Sequence, residues 1–187
     1  RLEMLSNNWP NSWFNGNCRS PPMPSDGDQH LSHTDSEGNA RMVDVGDKPV
    51  TDRRATAEGY IRMKPATLRL ILDGDVEKGD VLAVARIAAI QGAKQTSQMV
   101  PLCHPLPLDN VLVEIEDGED DAVASIRMSV STRAMARTGV EMEALSAVVV
   151  GLITIYDMCK AVDRGMKITD VRLVQKAGGK SGTFEAE

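Results

Sequence analysis

Residues 111–130 read VLVEIEDGEDDAVASIRMSV. Val111, Val113 and Ile115 alternate with polar side chains. Ile126, Met128 and Val130 alternate again after Asp117-Gly118. Apolar residues at period two mark half-buried strands, and a turn dipeptide between two such runs marks a hairpin. The stretch predicts a hairpin that turns at Asp117-Gly118, with its second strand over 122–130. Its flanks set the architecture. Upstream, Val81 to about Lys94 is Ala-rich and apolar nearly all round, which predicts a buried helix; a buried strand over 81–85 is the competing reading. The turn Lys78-Gly79-Asp80 precedes it, and Asp80 is a good N-cap. Downstream, Thr138-Gly139-Val140-Glu141 has the capping-box pattern. It opens a helix from about 140 to 163, ended by Arg164-Gly165.

Strands lie outside both helices. Ala55, Ala57, Gly59, Ile61 and Met63 sit at period two over 53–63, and Ile168, Val171, Leu173 and Val174 form a last strand. From residue 53 the order is β, α, β, β, α, β. That is the α+β, ferredoxin-like split βαβ sandwich (βαββαβ), with helices on one face of a mainly antiparallel sheet. A strand over 40–46 (ARMVDVG) and a short helix over 67–72 are additions before the first long helix. Residues 177–182 form a glycine-rich tail. Residues 1–30, rich in Asn and Pro and without apolar periodicity, read as a disordered or irregular tail. Residues 31–187 read as one α+β domain. The tail lacks the apolar run of a signal peptide, and a start at Arg1 rather than Met fits a fragment or a processed product.

The chain has 187 residues, 42% of them hydrophobic and 26% charged, with a formal net charge of -6. That acidic balance argues against a nucleic-acid coat. Aromatics are 3%, too few for base-stacking platforms. No run approaches the roughly 20 apolar residues of a membrane helix, so a membrane-spanning protein is not expected. Three cysteines, Cys18, Cys103 and Cys159, fit a reducing compartment rather than a disulfide framework. The expected location is cytoplasmic.

Gly179-Lys180-Ser181 resembles the end of a P-loop, but Val174 stands where a glycine is needed. Residues 98–106, QMVPLCHPL, are more informative. Pro101 and Pro105 stiffen a loop that presents Cys103 and His104. Such a loop suits binding or proton transfer, and spacing alone leaves a buried Cys and a hydrogen-bonded His equally open. A zinc site from Cys103, His104 and Cys159 is weak, because adjacent ligands rarely share one tetrahedral ion. In the second helix Glu141 reads as the capping-box acid, whereas Glu143 has no structural role. Asp157 and Lys160 are three apart and share a face. At the end of a buried helix such a pair could shift toward proton-transfer pKa values. Glu143 and Asp157 are 14 residues apart, about 21 Å along one helix. No small ligand touches both, unless two copies of the helix build the site. The run Ala144–Ile155 is more apolar than one sheet face requires, which predicts a homo-oligomer.

KGDVLAVARIAAIQGAKQTSQMVPLCHPL (78–106), TGVEMEALSAVVVGLITIYDMCKAVDRGM (138–166) and VRLVQKAGGKSG (171–182) closely resemble the molybdenum cofactor biosynthesis protein C family, the cyclic pyranopterin monophosphate synthases. LSHTDSEGNARMVDVGDKPVTDRRATA (31–57) resembles the start of that family, and residues 1–30 have no counterpart. The resemblance implies a lyase that converts 3',8-cyclo-7,8-dihydroguanosine 5'-triphosphate to cyclic pyranopterin monophosphate and pyrophosphate. It places catalytic roles on Asp157, Lys78 and Lys160. It places substrate contacts on Leu102, Cys103, His104, Met142, Glu143, Lys94 and Lys176. It implies no metal ligands on the protein and no firm cofactor, magnesium with the triphosphate being the one candidate. It also suggests a hexamer built from dimers with the active site at an interface, and no nucleic-acid or membrane partner. Arg137 replaces the family's usual lysine with the charge kept, and IAAIQGAK replaces IAGIQAAK. The competing reading is a ferredoxin-like module that senses a nucleotide without turning it over.

Overall fold

The computed structural model describes residue 37 and residues 39–120 and 123–187. The expected tail over 1–30 lies outside the described residues. The elements run β1 (Thr51–Met63), α1 (Pro65–Leu72), α2 (Val81–Lys94), α3 (Thr96–Met99), β2 (Asn110–Asp120), β3 (Val123–Ala136), α4 (Glu141–Cys159), β4 (Lys167–Ala177) and β5 (Phe184–Glu185). One antiparallel sheet has the order β2-β3-β1-β4-β5. With α2 and α4 as the crossovers, the first four of these strands give the βαββαβ topology of the ferredoxin-like class.

Side-chain alternation builds the layers. Ala55, Ala57, Ile61 and Met63 of β1 are buried, as are Ala124, Ile126, Met128 and Val130 of β3. They face Val81, Ala85, Ala89 and Ala93 of α2 and Ala144, Ala147, Val148, Leu152 and Ile155 of α4, both at helical spacing. The small inner face of β1 lets α4 settle close to the sheet. On the opposite face Glu58 is held between Arg127, at 2.8 Å, and Arg172, at 3.0 Å.

Several local expectations need correction. Residues 40–46 are not a strand; only Ala40 makes an isolated bridge, and most of this segment is exposed. The extra strand is instead the two-residue β5, paired to Gln175 and Lys176. The hairpin does not turn at Asp117-Gly118, because β2 continues to Asp120 in register with β3.

α2 is a helix capped by Asp80, whose carboxylate accepts from the Ala83 N–H at 2.9 Å. It is not buried all round: Val84 is 42% and Ile87 68% exposed. α4 spans 141–159 rather than 140–163. Val140 is its N-cap without a side-chain hydrogen bond, so Thr138 and Glu141 form no capping box. α4 is also long and apolar enough to cross a membrane by length and hydropathy, contrary to the sequence reading. Half of that window is buried inside the fold, where it packs on β1, β3 and β4.

Candidate active site

Asp157 lies in the last turn of α4, and Lys160 follows as its C-cap. Cations are favoured there by the helix dipole. Lys160 Nζ sits 2.6 Å from Asp157 Oδ1. Lys78 reaches the same group from the turn before α2. Its ammonium donates to Asp157 Oδ2 at 3.1 Å and to the Asp157 carbonyl at 2.8 Å. All three side chains are about half exposed. Lys160 and then Lys78 hold the Asp157 carboxyl below the usual carboxylate range, and Asp157 raises Lys160. In the free protein the pair is therefore driven away from neutrality, opposite to the shift expected from sequence.

At the other end of α4, Glu143 is buried, 4% exposed. Burial pushes its carboxyl up to about 7; its own backbone N–H works against this and the Glu141 charge adds to it. Cys103 is half-buried near it, its thiol raised by burial and then by the Glu143 charge. Leu102 and His104 flank Cys103 in the same turn, also half-buried. That turn is closed by the Cys103 N–H donating to the Val100 carbonyl at 3.0 Å. Met142 is 38% exposed in the first turn of α4, and Lys94 is exposed in the last turn of α2. Lys176 pairs in register with Ala55 of β1 and bonds the Ser181 hydroxyl. Cys159 is buried at the far end of α4, so the zinc set of Cys103, His104 and Cys159 is not brought together.

The Glu143 value has a direct consequence. Its folded pKa lies above 4.5, so the fold favours the protonated form. Stability from this group is full below pH 4.5 and is lost as pH rises through about 7. The loss amounts to about 3 kcal/mol. Glu143→Gln removes it. The variant should melt roughly 6–12 °C above the wild type at pH 8, with the gap closing near pH 4.5. Equal pH dependence of the two melting curves would show that the carboxyl is not held neutral.

Sequence reasoning missed a third feature. A cavity of about 480 Å³ opens beside the start of α4, lined by Lys48, Thr51, Arg53, Arg137, Glu141, Lys180 and Ser181 among others. The Arg53 guanidinium donates to the Ala136 carbonyl at 3.4 Å and to the Arg137 carbonyl at 3.3 Å. Arg137 in turn donates to the Gly46 carbonyl at 2.6 Å. Gly179 passes beside the Arg53 guanidinium at φ +79, a backbone conformation that side-chain-bearing residues rarely adopt and that favours glycine here. The buried Thr51 hydroxyl has no hydrogen-bond partner in the structure. Four cations against one carboxylate, next to a helix N-terminus, suit a phosphate-rich anion. The cations come from widely separated stretches of the sequence, and the Gly179-Lys180-Ser181 fragment hinted at the place.

α2 and α4 run antiparallel. Gly92 packs against Val150 and the Ser146 carbonyl, whereas Lys78 meets Asp157. Lys94, Met142, Glu143, Cys103 and the cationic cavity therefore gather at one end of the helix pair. Lys78, Asp157 and Lys160 gather at the other, about 21 Å away by helix rise. One chain carries two separated groups rather than one closed site. Among solved structures, the solution NMR structure of a de novo designed protein with ferredoxin fold is similar at 14% identity. The match covers 72% of this chain and 95% of that one at a TM-score of 0.35, and the strand order, not this likeness, gives the fold class. The MoaC family model matches residues 42–179. That span runs from the loop before β1, through both groups at the ends of α4, to the glycine-rich loop after β4. The chain belongs to the MoaC family, enzymes of molybdenum cofactor biosynthesis.

Proposed function

We propose that the protein is a cyclic pyranopterin monophosphate synthase, a lyase acting on 3',8-cyclo-7,8-dihydroguanosine 5'-triphosphate. The observation that carries this reading is the convergence of Lys78 and Lys160 on Asp157 from two distant chain segments. The reaction opens and rebuilds a heterocycle, then closes a cyclic phosphate with loss of pyrophosphate. It needs acids and bases held ready near the ring, and cations on the phosphates. In this reading Asp157, Lys78 and Lys160 move protons once substrate separates their ion pairs. Glu143, with a pKa near its working pH, is suited to hold or pass a proton at the other end of the site. Leu102, Cys103, His104, Met142, Lys94 and Lys176 line the substrate. The cavity of Lys48, Arg53, Arg137 and Lys180 takes the triphosphate. Magnesium would come with the phosphates; among the described residues no group of three His, Cys, Asp or Glu could hold it.

The site is completed by a second copy. Val84, Ile87, Val149 and Ile153 are exposed on α2 and α4, an apolar face suited to a subunit contact. Packing two such faces together could bring the Asp157 end of one chain to the Glu143 end of the other, and dimers would build the hexamer that the family resemblance suggests. A cytoplasmic location fits the unpaired thiols Cys103 and Cys159. Incubating the purified protein with the cyclic GTP-derived triphosphate should release pyranopterin and pyrophosphate. Binding without product would favour the sensor reading instead. In the same assay Arg53→Ala and Lys180→Ala should raise KM about tenfold or more with kcat little changed, the signature of lost uniform binding.

A further inference from the structure

Asp163 lies in the turn after α4, three residues beyond Lys160. Its side chain is 1% exposed. A carboxylate so deep is costly unless its oxygens are satisfied, and here they are. Oδ2 accepts from the Lys64 N–H and the Thr67 hydroxyl, each at 3.1 Å. Oδ1 accepts from the Gly165 N–H at 3.0 Å, with the Lys64 ammonium 3.8 Å away. Burial alone would raise its pKa, yet these donors hold it below the ordinary range.

The placement links two segments. Lys64 is the N-cap of α1 but supplies no side-chain hydrogen bond. Asp163 instead accepts the backbone N–H of that N-cap residue and the Thr67 hydroxyl from across the chain, at a helix end where the dipole favours negative charge. It thereby ties the turn that carries Lys160 to the root of α1, and α1 leads on to Lys78. Exposed lysine–carboxylate pairs are weak and hold long side chains poorly. Their convergence depends on where the backbone puts them, and Asp163 ties the Lys160 turn to the start of α1, the helix that precedes Lys78.

We infer that Asp163 is a positioning residue for the Lys78–Asp157–Lys160 cluster, setting the approach of the two lysines to Asp157. This rests on the proposed catalytic role of that cluster. The test is an NMR pH titration of the Asp157 carboxyl carbon in the full chain, with melting temperature measured alongside. In Asp163→Asn the Asp157 pKa should rise by about one pH unit as the lysines draw apart. Thr67→Val, which removes one donor and keeps the charge, should move it the same way by less. A fall in melting temperature with an unchanged Asp157 titration would make Asp163 merely structural and overturn the inference. Should Asp163→Asn not fold, Thr67→Val decides by the same readout. The titration needs no turnover, so a failed synthase assay and a failed positioning role remain distinguishable.

Discussion

Asp157→Asn should abolish pyranopterin formation and leave the melting temperature within a few degrees of the wild type. The substitution is isosteric, and the side chain it changes is 56% exposed, so little packing is at stake. What it removes is the charge on which two ammonium groups converge, at 2.6 Å and 3.1 Å. Without that charge the Lys160 pKa falls back toward its ordinary value, since Asp157 is what raises it. The amide can neither take up nor release a proton at the position where the carboxylate would. Lys78→Ala and Lys160→Ala should each lower kcat by at least ~100-fold, the scale of a lost general acid or base. A rise in KM alone would mean that the lysines only bind phosphate uniformly. Near-normal turnover in Asp157→Asn, or a loss that follows unfolding, would remove the cluster from the chemistry.

The long periodic segments were legible because their pattern and their packing agree. β1, β3, α2 and α4 each bury the residues that period two or helical spacing selects, such as Ala55, Ala57 and Ile61 or Ala144, Ala147 and Val148. Errors came where a local signal met no tertiary partner, or was overridden by one. Among the described residues, 40–46 joins none of the sheet's strands despite its alternation. Asp117-Gly118 looks like a turn, but continued pairing of Gly118 with Ser125 holds the strand straight. Lys160 was visible as a neighbour of Asp157 because both lie on one helix end. The link between Lys78 and Asp157 entered only through family resemblance, since nothing local shows that a turn 79 residues away folds onto Asp157. Arg53 and Lys48 were invisible for the same reason: strand and loop residues from four regions meet at one cavity. Asp163 is the extreme case, a charged residue that sequence would place on the surface and the fold buries against the N-terminus of α1.

Mixing two inactive variants should restore activity, provided that each variant damages a different end of α4. The Glu143 and Asp157 ends are about 21 Å apart on one helix, too far for one substrate to use both within a chain. In a two-fold dimer each site would take the Asp157 end from one chain and the Glu143 end from its partner. Pair Asp157→Asn with Lys176→Ala, dissociate and reassociate. In a mixed dimer one site receives both damaged ends and the other receives two intact ends. Random pairing makes half the dimers mixed, so about a quarter of wild-type activity should return. Mixing Asp157→Asn with Lys78→Ala is the control. Both changes lie at the same end, every site inherits one of them, and activity should stay at the level of the separate variants. The exposed Ile87 and Ile153 offer an independent check. Charged substitutions there should dissociate the dimer and abolish turnover together, while each chain keeps its fold. Equal recovery in both mixtures would mean that Lys78 and Asp157 serve one site from different chains, which would overturn the cluster formed within one chain. No recovery in either would place a complete site within one chain, and a fully active monomer in sedimentation would remove the need for a second copy.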